Sequence, residues 1–325
     1  MQRSTPQLTD VEGLLVGHVT LEDAATGCTV VLGPPEGMRA AAKIRGRATG
    51  TRELDALSPR HLVPAVHAIL LTGGSAFGLG AADGVMRWLA ERERGFSVGI
   101  AVVPIVPTAV VFDLGPLGKA DRWPGPEDGY RACEAASKTV EEGSVGAGTG
   151  ATVGKVLGPQ GAMKGGVGTW AERRGDLVVG ALAVTNPFGD VRDAEGNIIA
   201  GARRDGEFAD AREVIADGGV RRGSFGRAGA NTTLIVIATN ADLGQLELVE
   251  VAAMATDAVT RRITPAGTQF DGDLVFAVST AQLPDQPPVQ VELLAQNAAG
   301  MAIERSVRLA RGTPQIPGLG GVSSE

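Results

Sequence analysis

The eight residues TTLIVIAT at 232–239 are uncharged and mostly β-branched or apolar. Immediately downstream, residues 246–262 change period and place Leu248, Ala252, Ala255 and Val259 on one helical face. The first run reads as a strand buried on both sides and the second as an amphipathic helix. Glu247 and Glu250 near its start and Arg261 and Arg262 at its end complement the helix dipole. The same order recurs toward the C-terminus, with a strand over 272–280 and a helix over 291–309 behind Pro287-Pro288. Upstream, HAILLT (67–72) reads as a buried strand that stops at Gly73-Gly74-Ser75. A helix opens there, with Phe77, Ala81, Val85 and Leu89 at i, i+4 spacing and Ser75 as the expected N-cap.

Residues 11–33 read as two short strands around Glu22–Asp23, and 167–172 with 177–185 as a hairpin turned at Arg174-Gly175-Asp176. Val102–Leu114, broken by Pro104 and Pro107, reads as a strand or edge strand. Asp128–Glu142 reads as a helix closed by Gly143. Residues 43–52 are basic and glycine-broken, a loop or edge segment, and 187–230 are polar and loop-rich. Strands and helices interspersed at these intervals suit a layered α/β (α+β) sandwich better than a regular βαβ run. No linker or fixed-period repeat divides residues 1–325, so a single domain is expected.

Composition narrows the function. With 43% hydrophobic and 21% charged residues the chain is globular, and its net charge of −7 makes nucleic acid a poor partner. The longest uncharged apolar stretch, Val98–Phe112, is short of the roughly 18 residues of a span, so no membrane partner is expected. The opening MQRSTPQLTD lacks a basic-then-apolar signal pattern, which points to the cytoplasm. Two cysteines, Cys28 and Cys133, make no disulfide framework. Three histidines disfavour zinc chemistry and a Ser/His/Asp triad; no metal or cofactor is expected. The 47 glycines, about twice the usual share of roughly 7%, concentrate in 143–168.

Several short patterns have ordinary readings. GGSAFG (73–78) lacks the second glycine of a nucleophile elbow, and Gly146-x-Gly148-x-x-Ala151 lacks the preceding apolar strand of a dinucleotide fingerprint. Asp271-Gly272-Asp273 has too few ligands for a metal and could be a strand-opening turn. Asn186-Pro187 is turn chemistry at a strand end. Lys155 and Lys164 are lone cations in an apolar, glycine-rich setting, fit either for a site or for solvated surface. By spacing alone, Asn231-Thr232 is a turn residue followed by a strand residue.

Taken together, ILLTGGSAFGLGAADGVMRWLAER (69–92), VGAGTGATVGKVLGPQGAMKGGVG (145–168), LAVTNPFGDV (182–191), NTTLIVIATNA (231–241) and FDGDLVFAVST (270–280) resemble the P1 peptidases. These are the self-processing hydrolases typified by L-aminopeptidase/D-esterase, β-peptidyl aminopeptidase and nylon-oligomer hydrolase. The likeness runs from about residue 8 to 312. It implies a four-layer αββα sandwich resembling N-terminal-nucleophile hydrolases, made as a precursor that cuts its own backbone. By motif the cut falls between Asn231 and Thr232, giving fragments 1–231 and 232–325 with Thr232 as nucleophile.

The resemblance further implies Asn186 as the amide donor to the oxyanion and Lys155 as the lysine beside the nucleophile, with Lys164 competing for that place. Asp271 and Asp273 match the pair that orients the nucleophile region. Asn231-Thr232 and the two aspartates are similar to the nylon-oligomer branch, where the aminopeptidase branch has Gly-Ser and a Ser/Glu pair. The expected substrate is a small amide or peptide with a free amino end, and the expected assembly a homo-oligomer, a tetramer of cleaved units. An N-terminal threonine carries its own general base, so this chemistry requires no histidine. The alternative is a non-catalytic small-molecule-binding protein on the same scaffold.

Overall fold

The computed structural model describes residues 5–63, 65–119, 121–219 and 231–321. Ten strands form two sheets: β1 (Leu15–Leu21), β2 (Thr26–Leu32), β3 (Arg39–Ile44), β4 (Thr51–Arg52), β5 (Ala68–Thr72), β6 (Thr108–Val110), β7 (Val167–Arg174), β8 (Leu177–Asn186), β9 (Thr232–Ala241) and β10 (Leu274–Leu283). The first sheet has the order β1-β2-β5-β6-β4 and the second β7-β8-β9-β10-β3. Pairing is antiparallel except for β5 with β6 and β9 with β10. Among the described residues five helices complete the frame: α1 (Ala81–Ala90), α2 (Pro126–Glu134), α3 (Ala211–Ala216), α4 (Gln245–Arg262) and α5 (Pro288–Arg308).

Three apolar layers show how these pieces stack. Val31, Ile69 and Leu71 of the first sheet meet Leu182, Val236 and Phe276 of the second in a core between the sheets. The opposite face of the second sheet, with Val179, Ile235 and Val275, packs on α4 and α5. The opposite face of the first, with Cys28, Val30 and Leu70, packs on α1 and α2. The result is the expected αββα sandwich. Burial on both faces explains why β8 is apolar without alternation and buried at all ten positions. Gly168 of β7 lets α5 settle close, since a Cβ there would collide with the Ala302 carbonyl oxygen. No helix among the described residues is long and apolar enough to cross a membrane.

Most elements follow the local pattern. Leu248, Ala252, Ala255 and Val259 are all buried on α4, and the 167–186 hairpin turns at Gly175-Asp176 with Arg174 opposite Leu177. Two expectations fail. The helix expected over 128–142 ends at Glu134, because Ser137 instead pairs with Val16 beside the first sheet. Gly143 accordingly caps no helix; it pairs with Val167. Ser75 caps nothing with its side chain. It sits at φ 53° and its N–H donates to the Val111 carbonyl at 3.0 Å, so the turn begins one residue earlier at Gly74.

Candidate active site

One end of the second sheet gathers Asn186, Asn231, Thr232, Asp271 and Asp273. In the antiparallel pair β8–β9 the last residue of β8, Asn186, lies opposite the first of β9, Thr232. Because β9 and β10 run parallel, their leading segments also meet: Asn231 bridges to Asp271, and the Gly272 N–H donates to the Asn231 carbonyl at 2.8 Å. The Thr232 hydroxyl donates to that same carbonyl at 2.5 Å. Gly272 is required for this approach, since a Cβ would lie 2.8 Å from Thr232 Oγ1 and 2.7 Å from the Ala48 carbonyl oxygen. The connection from β3 to β4 crosses this edge. Its Arg47 and Ala48 N–H groups both donate to the Asp271 carbonyl, at 2.8 and 3.0 Å.

The two aspartates are buried and hold backbone. Asp273 Oδ1 accepts from the Thr233 N–H at 2.7 Å and Oδ2 from the Gly267 N–H at 3.1 Å. Asp271 Oδ2 accepts from the N–H and hydroxyl of Thr268 at 2.8 and 2.7 Å, while Oδ1 faces the Phe188 N–H at 3.4 Å. They fix the strand segments around Thr232, and these bonds run to backbone and Thr268 rather than to its hydroxyl. Lys155 Nζ donates to Asn186 Oδ1 at 2.8 Å and to the Asn186 carbonyl at 3.0 Å. Thr152 N–H also donates to Oδ1 at 2.9 Å, and Asn186 Nδ2 donates to the Phe112 carbonyl at 3.0 Å. Lys164 binds elsewhere, to the Thr149 and Ala151 carbonyls at 2.7 and 2.8 Å.

Desolvation dominates the electrostatics. Burial pulls Lys155 down to about 7, against the opposing charge of Asp271. Burial likewise pushes Asp273 up to about 7, with Asp271 adding repulsion. Lys164 falls to about 7 for the same reason. Asp113 rises to about 6, again through burial, although the Thr26 hydroxyl and Gly74 N–H favour its ionised form. Of these groups, Asp273 holds the Thr233 N–H next to Thr232 and Lys155 holds Asn186, the residue paired with Thr232; buried groups that exchange protons near neutrality are more frequent at functional sites than elsewhere.

A cavity of about 290 Å³ opens beside Thr232, with Arg47, Gly50, Ser75 and Phe112 in its wall. Residue-by-residue reading of the sequence passes over Asp113, Gly272, Arg47 and the Phe112 carbonyl. Asp113 has one visible signal, a carboxylate closing the apolar run that ends at Phe112. Gly272 acts through its backbone N–H, which no residue type advertises. Among the described residues no group of three or more His, Cys, Asp or Glu could hold a metal.

The model of peptidase family S58 matches residues 6–310. The chain belongs to peptidase family S58. As an S58 member it is a hydrolase of peptide or amide bonds, in agreement with the resemblance read from its sequence blocks. It is 44% identical over 299 residues to an uncharacterized aminopeptidase of Mycobacterium tuberculosis, covering 87% of this chain and 84% of the relative. It is 34% identical over 302 residues to a 6-aminohexanoate-oligomer endohydrolase of a Kocuria species, covering 90% and 80%. Among solved structures, the L-aminopeptidase D-Ala-esterase/amidase of Ochrobactrum anthropi, described as a variant of the Ntn hydrolase fold, superposes with TM-score 0.72 at 20% identity over 97% of this chain and 91% of that one. A Burkholderia β-aminopeptidase gives 0.68 at 21%, over 98% and 89%.

Proposed function

We propose that the chain cuts itself between Asn231 and Thr232 and then hydrolyses small amides or peptides through an acyl-enzyme on the freed Thr232. The observation that carries this reading is the convergence on one carbonyl. The Thr232 hydroxyl lies 2.5 Å from the Asn231 oxygen, and the Gly272 N–H donates to that oxygen from 2.8 Å. Attack of Oγ1 on the Asn231 carbonyl carbon moves charge onto an oxygen that already has a donor. The hydroxyl proton passes to a base as the C–O bond forms. Collapse breaks the C–N bond, and the departing Thr232 nitrogen takes a proton. Water then hydrolyses the ester, leaving a carboxylate on Asn231 and a free amine and hydroxyl on Thr232.

The new α-amine has an ordinary pKa of about 7.7–8.0 and serves as base for its own hydroxyl in turnover. Lys155, brought near neutrality by burial, is suited to relay a proton and holds the Asn186 amide in place. Asn186 has a second amide hydrogen beyond the one given to Phe112, and we assign that group as an oxyanion donor. Asp271 and Asp273 position the strands. The Asn231-Thr232 pair and the two aspartates favour an amide of a longer ω-amino acid with a free amino end. The same reading places the enzyme in the cytoplasm as a homo-oligomer of cleaved units.

Intact mass and N-terminal sequencing test the cut. Wild-type protein is expected as two fragments, the smaller beginning Thr232-Thr233-Leu234, and Thr232→Ala as one inactive chain. If both preparations are single, uncut chains, the self-processing reading is wrong.

A further inference from the structure

The cavity beside Thr232 has a charge pattern that the proposed chemistry does not use. Among the described residues one charged residue, the exposed Arg47, lines it, and no carboxylate does; Thr49 and Ser75 are hydroxyl residues of the lining, and Phe112 and Val110 apolar ones. Arg47 takes part in none of the ion pairs among the described residues. Its backbone is held at this edge of the site. Its own N–H is tied to the Asp271 carbonyl at 2.8 Å, and neighbouring Gly46 packs so closely on Asp271 and Asp273 that a Cβ there would collide with both. The acidic groups nearest the nucleophile cannot answer this cation: Asp271 and Asp273 are 1% and 2% exposed, spend their oxygens on N–H and hydroxyl donors, and do not line the cavity.

We propose that Arg47 is a substrate-binding residue that takes a carboxylate of the amide, so that the enzyme selects amides whose leaving amine carries a free carboxyl end. This rests on the self-processing amidase reading and deepens it. A planar guanidinium matches a carboxylate in a two-pronged fit. A cavity with one uncompensated positive charge concentrates anions and repels an ammonium. A substrate lying with its scissile carbonyl at Thr232 and its carboxylate on Arg47 directs its amino end out of this cavity, on the acyl side. Short unblocked peptides and linear ω-amino-acid oligomers meet that requirement; amides of uncharged amines do not.

The experiment pairs the linear dimer of 6-aminohexanoate with its C-terminal carboxamide, which differ only in that charge. In wild-type enzyme the carboxylate form is expected to have kcat/KM higher by about tenfold or more, the size of one charged hydrogen bond, mostly through KM. In Arg47→Met the ratio falls to about one, whereas Lys43→Met, which removes a surface cation outside the cavity, retains it. Calorimetric binding of 6-aminohexanoate against 6-aminohexanamide gives the same comparison without turnover. Equal handling of the paired compounds by wild type, in turnover or in binding, or a ratio that survives Arg47→Met, overturns the role of Arg47. An uncut chain overturns the processing reading instead, and the binding comparison then still decides on Arg47.

Discussion

Replacing Gly272 by alanine tests the geometry of the cut without removing any proposed reactive group. The added Cβ would stand 2.8 Å from Thr232 Oγ1 and 2.7 Å from the Ala48 carbonyl oxygen, where ordinary contact begins at 3.4 Å. Each neighbour must therefore retreat by roughly 0.6–0.7 Å, or Gly272 must move and take its N–H away from the Asn231 carbonyl. The Ala48 oxygen is backbone in a segment tied to the Asp271 carbonyl, so the hydroxyl is the softer of the two. Overpacking of this kind costs about 1–3 kcal/mol of stability, and displacing a reacting atom by about 1 Å costs on the order of 10²-fold in rate. The variant should fold, melt a few degrees lower, and accumulate precursor with a cleavage rate lower by one to two orders of magnitude. A time course of fragment appearance on denaturing gels, beside a thermal melt, measures both. Cleavage at the wild-type rate would refute the claim that the Gly272 contact positions Thr232 for attack.

Lys155→Met removes a buried ammonium of similar length. It should slow cleavage and turnover by about 10²-fold or more, the usual worth of a positioned proton-transfer group. Its stability relative to wild type should depend on pH in a definite sense. The folded lysine sits at about 7 against 10.5 in the unfolded chain, so the wild type gains stability as pH rises between those values, while the unfolded state gives up its extra proton. The advantage of the Met variant is thus greatest near pH 7 and shrinks toward pH 10, which denaturant melts at the two pH values would show. Asn186→Leu takes one acceptor from Lys155, which keeps the residue-186 carbonyl, and strands the Thr152 N–H and the Phe112 carbonyl, which the amide side chain serves. At about 1–3 kcal/mol for each stranded buried group, a clear fall in Tm should accompany the loss of processing. An unchanged melt would show that water replaces the amide.

Local chemistry alone makes much of the frame legible. The helices α4 and α5 and the hairpin from 167 to 186 depend on periodicity and on a turn glycine, both properties of neighbouring residues. The failures mark where neighbours stop deciding. Residues 135–142 have an acceptable helical composition, yet Ser137 is drawn into pairing with Val16, and Gly143, which looks like a helix stop, joins Val167 instead. Ser75 looks like a cap, but its N–H is claimed by Val111.

The candidate site shows the same division. Family-like blocks point to Thr232, Asn186, Lys155, Asp271 and Asp273, but nothing in their spacing says that they meet. Lys155 and Thr232 lie far apart in sequence. Lys155 holds Asn186, and Asn186 meets Thr232 because β8 runs antiparallel to β9, setting the end of one strand against the start of the other; β10 runs parallel to β9 and delivers Asp271–Asp273 to the same edge. The sequence by itself determined which faces are apolar, where most strands and helices form, and that histidine-based catalysis is disfavoured, because these follow from residue chemistry and short-range period. Only the tertiary structure decided that Lys155 rather than Lys164 reaches Asn186, that the Gly272 N–H joins Thr232 on one carbonyl, and that Arg47 lines the cavity. Each of these depends on strand register and on the crossing of the β3–β4 connection, long-range pairings that local sequence does not encode.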